Sequence, residues 1–110
     1  PFNGWTGPVR RSKLLSVCNT AKVPVIEMDA YRDILPANSP APMKTIDSNK
    51  SVLYIGTFTA SALPDVGVGY IIGSRRAVHK LADIRFQLEG GSHIQSQKIM
   101  AEMLESGLYY

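Results

Sequence analysis

The residues best placed to do chemistry stand together in "SRRAVHK", residues 74 to 80. Their spacing puts Arg75, Arg76 and His79 on one side of the first turn of a helix that Ser74 would cap. A helix N-terminus already carries partial positive charge, so cations there cost stability unless an anion lies opposite. The arrangement reads as a phosphate clamp, with Lys80 adding a further charge. The remaining inventory is thin. Cys18 is the single cysteine, and its place on an apolar helical stripe predicts a buried structural thiol. His79 and His93 fall in different elements and cannot close a zinc site with one cysteine. The glycines of "GVGYIIG" have the wrong spacing for a dinucleotide loop, and no carboxylate pair stands out as acid and base. The reading is a chain without catalysis, metal or cofactor.

The elements that would position these residues follow from pattern. "VRRSKLLSVCNTAK" repeats apolar residues at helical spacing, with Pro8 suited to the first turn and Pro24 to the stop. "VPVIEMDAY" alternates as a half-buried strand. "RDILPANSPAPMKTIDSNK" has prolines and little pattern, so it reads as a long loop. "SVLYIGTFTA" and "VGVGYII", joined through "SALPD", read as a hairpin. The helix opened by Ser74 runs to the Gly90–Gly91 pair, with Val78, Leu81, Ala82 and Leu88 facing a core. Leu14, Phe58 and Leu81 are expected at the centre of that core. Ser92 and Gln95 have capping-box spacing and open a tail helix with a narrow stripe of Ile99, Met100, Met103 and Leu104. Phe2 and Trp5 sit in an irregular lead-in. The predicted organisation is a lead-in over 1–7, one domain over 8–90 and a helical extension over 91–110.

Composition bounds the rest. The chain has 110 residues, 45% apolar and 19% charged, with a formal net charge of +3, which suits one small globular domain. The excess is mild but localised. Residues 1–26 hold Arg10, Arg11, Lys13 and Lys22 and no acid. A lone cysteine excludes an internal disulfide and points to an intracellular, reducing compartment. No apolar run approaches a membrane span, and no signal-peptide pattern opens the chain. A first residue other than Met suggests an excised domain or a processed product.

"SKLLSVCNTAKVPVIEMDAY" and "GVGYIIGSRRAVHKLA" together resemble the double-stranded RNA-binding domain over roughly residues 8 to 90. The resemblance implies an α+β fold of order α-β-β-β-α, a three-stranded antiparallel sheet with two helices on one face, plus the extra C-terminal helix. It implies A-form RNA as partner, read by shape and phosphate contact. Arg75, Arg76 and His79 fall where the family places its phosphate-binding cations. The RNA-binding set implied is Arg10, Arg11, Lys13, Asn19, Lys44, Ser74, Arg75, Arg76, His79 and Lys80. Departures from the family are His79 in place of a lysine, a lengthened loop after the first strand, and no glutamate near Val17 to Thr20. These favour an alternative in which the same fold docks on another protein of an RNA-related assembly, through the tail helix or the sheet face.

Overall fold

The computed structural model describes residues 6–59, 67–91 and 93–109. The lead-in with Phe2 and Trp5, the "SALPD" turn and Ser92 of the expected capping box lie outside these residues.

Helix α1 spans Pro8–Thr20. Pro8 opens it at a position where a missing N–H costs nothing, and Lys22 closes its exit at φ 55°. Strand β1 is Val25–Asp29. The stretch after it is irregular apart from two short 3-10 turns, Arg32–Ile34 and Met43–Ile46. Strands β2 (Val52–Thr57) and β3 (Gly69–Ile72) form the expected hairpin pairing. Helix α2 is Arg75–Glu89: the Ser74 hydroxyl accepts from the Ala77 N–H at 3.3 Å, and Gly90 ends it at φ 69° with its N–H on the Phe86 carbonyl. Helix α3 is Ile94–Glu105, with Gly107 at φ 76° beyond it. The α+β class and the order of elements follow the sequence reading.

The sheet does not. Its order is β1-β2-β3, with β3 antiparallel to β2 but β1 parallel to it, Val25 beside Val52 and Asp29 beside Gly56. The expected all-antiparallel sheet is therefore corrected to a mixed one. A hairpin can join antiparallel strands directly, whereas a parallel pair needs a crossover of a dozen or more residues. The segment between Asp29 and Val52 is such a crossover, and its length was the signal.

Side chains alternate across the sheet. Glu27 and Tyr54 share one face by register, and Leu53 points to the other. On the Glu27 face, the carboxylate accepts the Met43 and Lys44 N–H groups at 2.7 and 3.0 Å and faces Arg11 of α1 at 3.8 Å. On the Leu53 face lies the start of α2: a Cβ on Gly73 would sit 2.6 Å from Leu53 Cδ1 and 3.6 Å from Val78. The two helices thus approach opposite faces, correcting the expectation of one shared face. Gly56 interrupts the central strand because the Tyr70 ring of β3 lies over it, where a Cβ would meet Tyr70 Cε1 at 2.8 Å. A cross-strand aromatic covering a glycine restores the burial that the missing side chain gives up.

The core is small. Among the described residues only Leu15, Val52, Tyr54 and Met100 are buried hydrophobics. Phe58 and Leu81 are half-buried, Leu14 is 47% exposed and Leu88 is 80% exposed. Cys18 is half-buried rather than enclosed. The face of α1 that meets the crossover carries Arg11, Ser12, Leu15, Ser16 and Asn19, so its more apolar stripe, Val9, Leu14 and Val17, is left facing outward. The accessible surface is 8547 Å², where a compact monomer of this mass exposes about 6,000 Å². The radius of gyration is 15.7 Å, against about 13 Å for a compact chain of this length.

Candidate functional site

Parallel strands point their carboxyl ends the same way, and in open α/β sheets that end forms the ligand crevice. Here β1 delivers Asp29 to that end, followed by Tyr31 and Arg32, while β2 delivers Thr57, Phe58 and Thr59. The short spacing from Asp29 to Arg32 lets a 3-10 turn fold the arginine back onto the strand end. Arg32 Nε and Nη2 lie 2.7 and 2.6 Å from Asp29 Oδ2, and Nη1 donates to the Pro40 carbonyl at 3.0 Å. The Tyr54 hydroxyl reaches the same Asp29 oxygen at 3.3 Å. Thr57 Oγ1 donates to the Val68 carbonyl at 3.1 Å and lies 2.8 Å from the Thr59 hydroxyl. A cleft of about 440 Å³ opens beside this end, lined by Met28, Asp29, Tyr31 and Arg32 together with Arg11 and Leu14 of α1.

The electrostatics follow from these contacts. Burial pulls the Arg32 guanidinium down, but the hydrogen bond and charge of Asp29 outweigh it, so its pKa stands above the ordinary arginine value. Burial, and then the charge of Asp29, push the Tyr54 phenol well above the usual tyrosine range. Tyr54 is therefore a fixed neutral donor. Aromatic rings back the cluster, Tyr54 and Tyr70 with centroids 6.1 Å apart and Phe58 5.1 Å from Tyr70. Tyr109, beyond α3, stacks edge-on against Phe58 at 5.4 Å and hydrogen-bonds Asp33. The site can present the Asp29–Arg32 ion pair, braced from beneath by Tyr54, and an exposed Tyr31 to a small ligand.

The opposite end of the sheet is a structural knot. Asp47 accepts from the Ser51 and Val52 N–H groups at 2.9 Å each and from Lys44 Nζ at 2.9 Å. Lys44 Nζ also donates to the Val52 carbonyl at 2.7 Å. Burial opposes ionisation of Asp47, but these donors hold it at about 2.

The sequence-selected cations divide accordingly. Arg11 turns inward, with Nε on the Thr6 carbonyl at 2.8 Å and Nη1 on the Ala41 carbonyl at 2.5 Å. Lys44 serves the knot, Asn19 Oδ1 lies 2.7 Å from the Ser51 hydroxyl, and Ser74 caps α2. Arg10, Lys13, Arg75, Arg76, His79 and Lys80 are exposed. Sequence reasoning passed over Asp29, Arg32, Tyr54 and Tyr70. "DAYR" carried the ion-pair spacing, but its meaning depends on the parallel pairing that was not anticipated.

No family model matches the chain. It is 39% identical over 101 residues to the uncharacterized HTH-type transcriptional regulator YdfD of Bacillus subtilis (strain 168), covering 91% of this chain and 21% of that protein. It is 34% identical to the regulator YisV of the same organism, over 98% of this chain and 23% of that one. It is 31% identical to the HTH-type transcriptional regulator NorG of Staphylococcus aureus, over 98% of this chain and 25% of that one. The chain thus spans about a quarter or less of these relatives. Among solved structures it superposes on the Pyrococcus horikoshii kynurenine aminotransferase, in complex with PMP, with a TM-score of 0.89 at 21% identity, covering 94% of this chain and 26% of that one. The alpha-aminoadipate aminotransferase LysN of Thermus thermophilus, complexed with N-(5'-phosphopyridoxyl)-L-leucine, gives 0.87 at 23% identity, over 98% of this chain and 29% of that one. The fold is that of part of an aminotransferase. These findings overturn the resemblance to the double-stranded RNA-binding domain and with it RNA as partner and RNA processing as context. Nor do they support the alternative of a docking module in an RNA-related assembly.

Proposed function

We propose that the chain is part of the aminotransferase-like portion of a transcriptional regulator, the portion that senses a small ligand, while other segments of the parent contact DNA. One observation carries this reading: 91–98% of the chain matches HTH-type regulators, and the same residues superpose on aminotransferases with TM-scores up to 0.89. The excess surface supports it, because exposed apolar positions such as Met28 and Leu88 need covering by protein outside these residues. Acting on DNA, such a regulator works inside the cell. Among the described residues, no helix is long and apolar enough to cross a membrane.

The reading is of sensing, not catalysis. The carboxylate at the crevice is held by Arg32 and the Tyr54 hydroxyl, and Tyr54 is kept neutral, an arrangement that favours binding over proton transfer by the phenol. A second reading has a specific observation behind it. α2 and α3 are joined by residues 90–93 with Gly90 and Gly91 at φ 69° and 131°, the kind of connection that a DNA-binding helix pair uses. The superposition disfavours it, since 94–98% of the chain is accommodated within the aminotransferase fold.

Two of the solved relatives hold phosphopyridoxyl ligands, which raises the question of whether this crevice suits one. Such a cofactor is ordinarily held as an imine on a lysine, with an acid or arginine at the pyridine nitrogen. The crevice offers an acid whose Oδ2 is engaged by Arg32 and Tyr54, and among the described residues no lysine lines the cleft. The residues present do not fit an imine-bound cofactor.

Hydrogen exchange on the full parent regulator tests the assignment. Ligand should protect residues 29–32 and 54–59, and DNA should protect segments outside the 110 residues. Protection of α2 and α3 by DNA would overturn it in favour of the second reading.

A further inference from the structure

We infer that this segment walls its crevice without supplying an imine-forming amine, so that a pyridoxal-type aldehyde bound there makes no covalent bond to these 110 residues. The inference rests on the sensing reading for the location of the crevice, and on the lysines for the rest.

The lysines are Lys13, Lys22, Lys44, Lys50, Lys80 and Lys98. Lys22 and Lys50 lie just ahead of β1 and β2, at the amino ends of the strands, both at left-handed φ. Lys22 lines a separate cleft there with Cys18 and Pro24. Lys44 Nζ is bound to Asp47 and to the Val52 carbonyl, at the same end. The carboxyl end of β2, at Thr57, is about 16 Å further along the strand at 3.3 Å per residue, and the crevice is lined from the side of β1, by Met28, Asp29, Tyr31 and Arg32. Lys80 stands in the second turn of α2. That helix begins just after Ile72, which pairs with Tyr54 and not with the carboxyl end of β2. Lys13 and Lys98 are exposed on the middle turns of α1 and α3. The residues that follow Thr59 in sequence, Ala60-Ser61-Ala62-Leu63-Pro64-Asp65-Val66, bring no amine either.

Without an amine the aldehyde has no nucleophile in this segment, and no imine forms by loss of water. What remains is noncovalent: the Asp29–Arg32 pair and Tyr31.

The test is a covalent map on the full parent regulator. It is incubated with a small molar excess of pyridoxal 5'-phosphate, reduced with borohydride, digested and analysed by mass spectrometry. Wild type should carry no phosphopyridoxyl group near one per chain on any of the six named lysines. Stoichiometric labelling of one of them overturns the inference. A Thr59→Lys variant places an amine at the carboxyl end of β2 and should be labelled there at least tenfold above any native lysine. Failure of that variant, in a protein that still binds DNA, refutes the crevice location, and with it the sensing reading, separately from the lysine argument.

Discussion

Removing these residues from their parent is the sharpest test of the fold reading. The chain exposes 8547 Å², roughly 2,500 Å² more than a compact monomer of its mass. If a little over half of that excess is apolar, about 1,400 Å² of apolar surface lacks the cover it was built for. Native domains are stable by only about 5–15 kcal/mol, so apolar surface of this extent left uncovered bears directly on whether the chain folds alone. The isolated chain should therefore bind ANS strongly, lose near-ultraviolet dichroism and melt without a cooperative transition. In the full parent the same residues should unfold cooperatively and bind no dye. A monomeric isolated chain with a sharp thermal transition, an m-value proper to about 110 residues and no ANS signal would refute the reasoning. It would mean that Leu15, Val52, Tyr54 and Met100 are core enough.

Other expectations concern the parent protein. Asp47, held at about 2 instead of 3.8, contributes on the order of 2 kcal/mol. Because its folded pKa is the lower one, that stability is full above about pH 4 and lost as pH falls toward 2. Asp47→Asn should flatten this part of the acid-denaturation profile, and an unchanged profile would show that the knot is not coupled to folding. Gly56→Ala should cost about 1–3 kcal/mol in urea denaturation, because the new methyl meets the Tyr70 ring. A neutral result would mean that the ring swings away freely. Arg75→Ala with Arg76→Ala should leave stability unchanged or raise it by a few tenths of a kcal/mol, since two exposed cations leave a helix N-terminus. A measured loss above 1 kcal/mol would reveal a partner for them within the parent.

What the sequence made legible was local. Ser74 and Gly90 delimit α2 where capping chemistry places them, and Pro8 and Pro24 bracket α1, because these signals act within a turn of backbone. The β2–β3 pairing was legible for the same reason, as a short return between two β-branched runs. The parallel pairing of β1 was not, since alternation in "VPVIEMDAY" is identical for either direction and only the length of the following segment tells them apart. The core expectation met a different limit. Phe58 and Leu81 are half-buried as core neighbours would be, but Leu14 and Leu88, apolar at the right periodicity, are 47% and 80% exposed; on the proposed reading the surfaces they address belong to protein beyond these residues. The site inherits both difficulties. Asp29 and Arg32 lie adjacent in sequence to a strand end, and nothing distinguishes that end from any other until β1 and β2 are known to run the same way. Once they do, the crevice is fixed by topology. The basic cluster at Ser74–Lys80 drew attention as a cluster of charge, yet charge alone does not locate a ligand: Arg75, Arg76, His79 and Lys80 face solvent. The residues that converge are instead an acid and an arginine three residues apart and a tyrosine from the neighbouring strand, which only the pairing of β1 with β2 brings together.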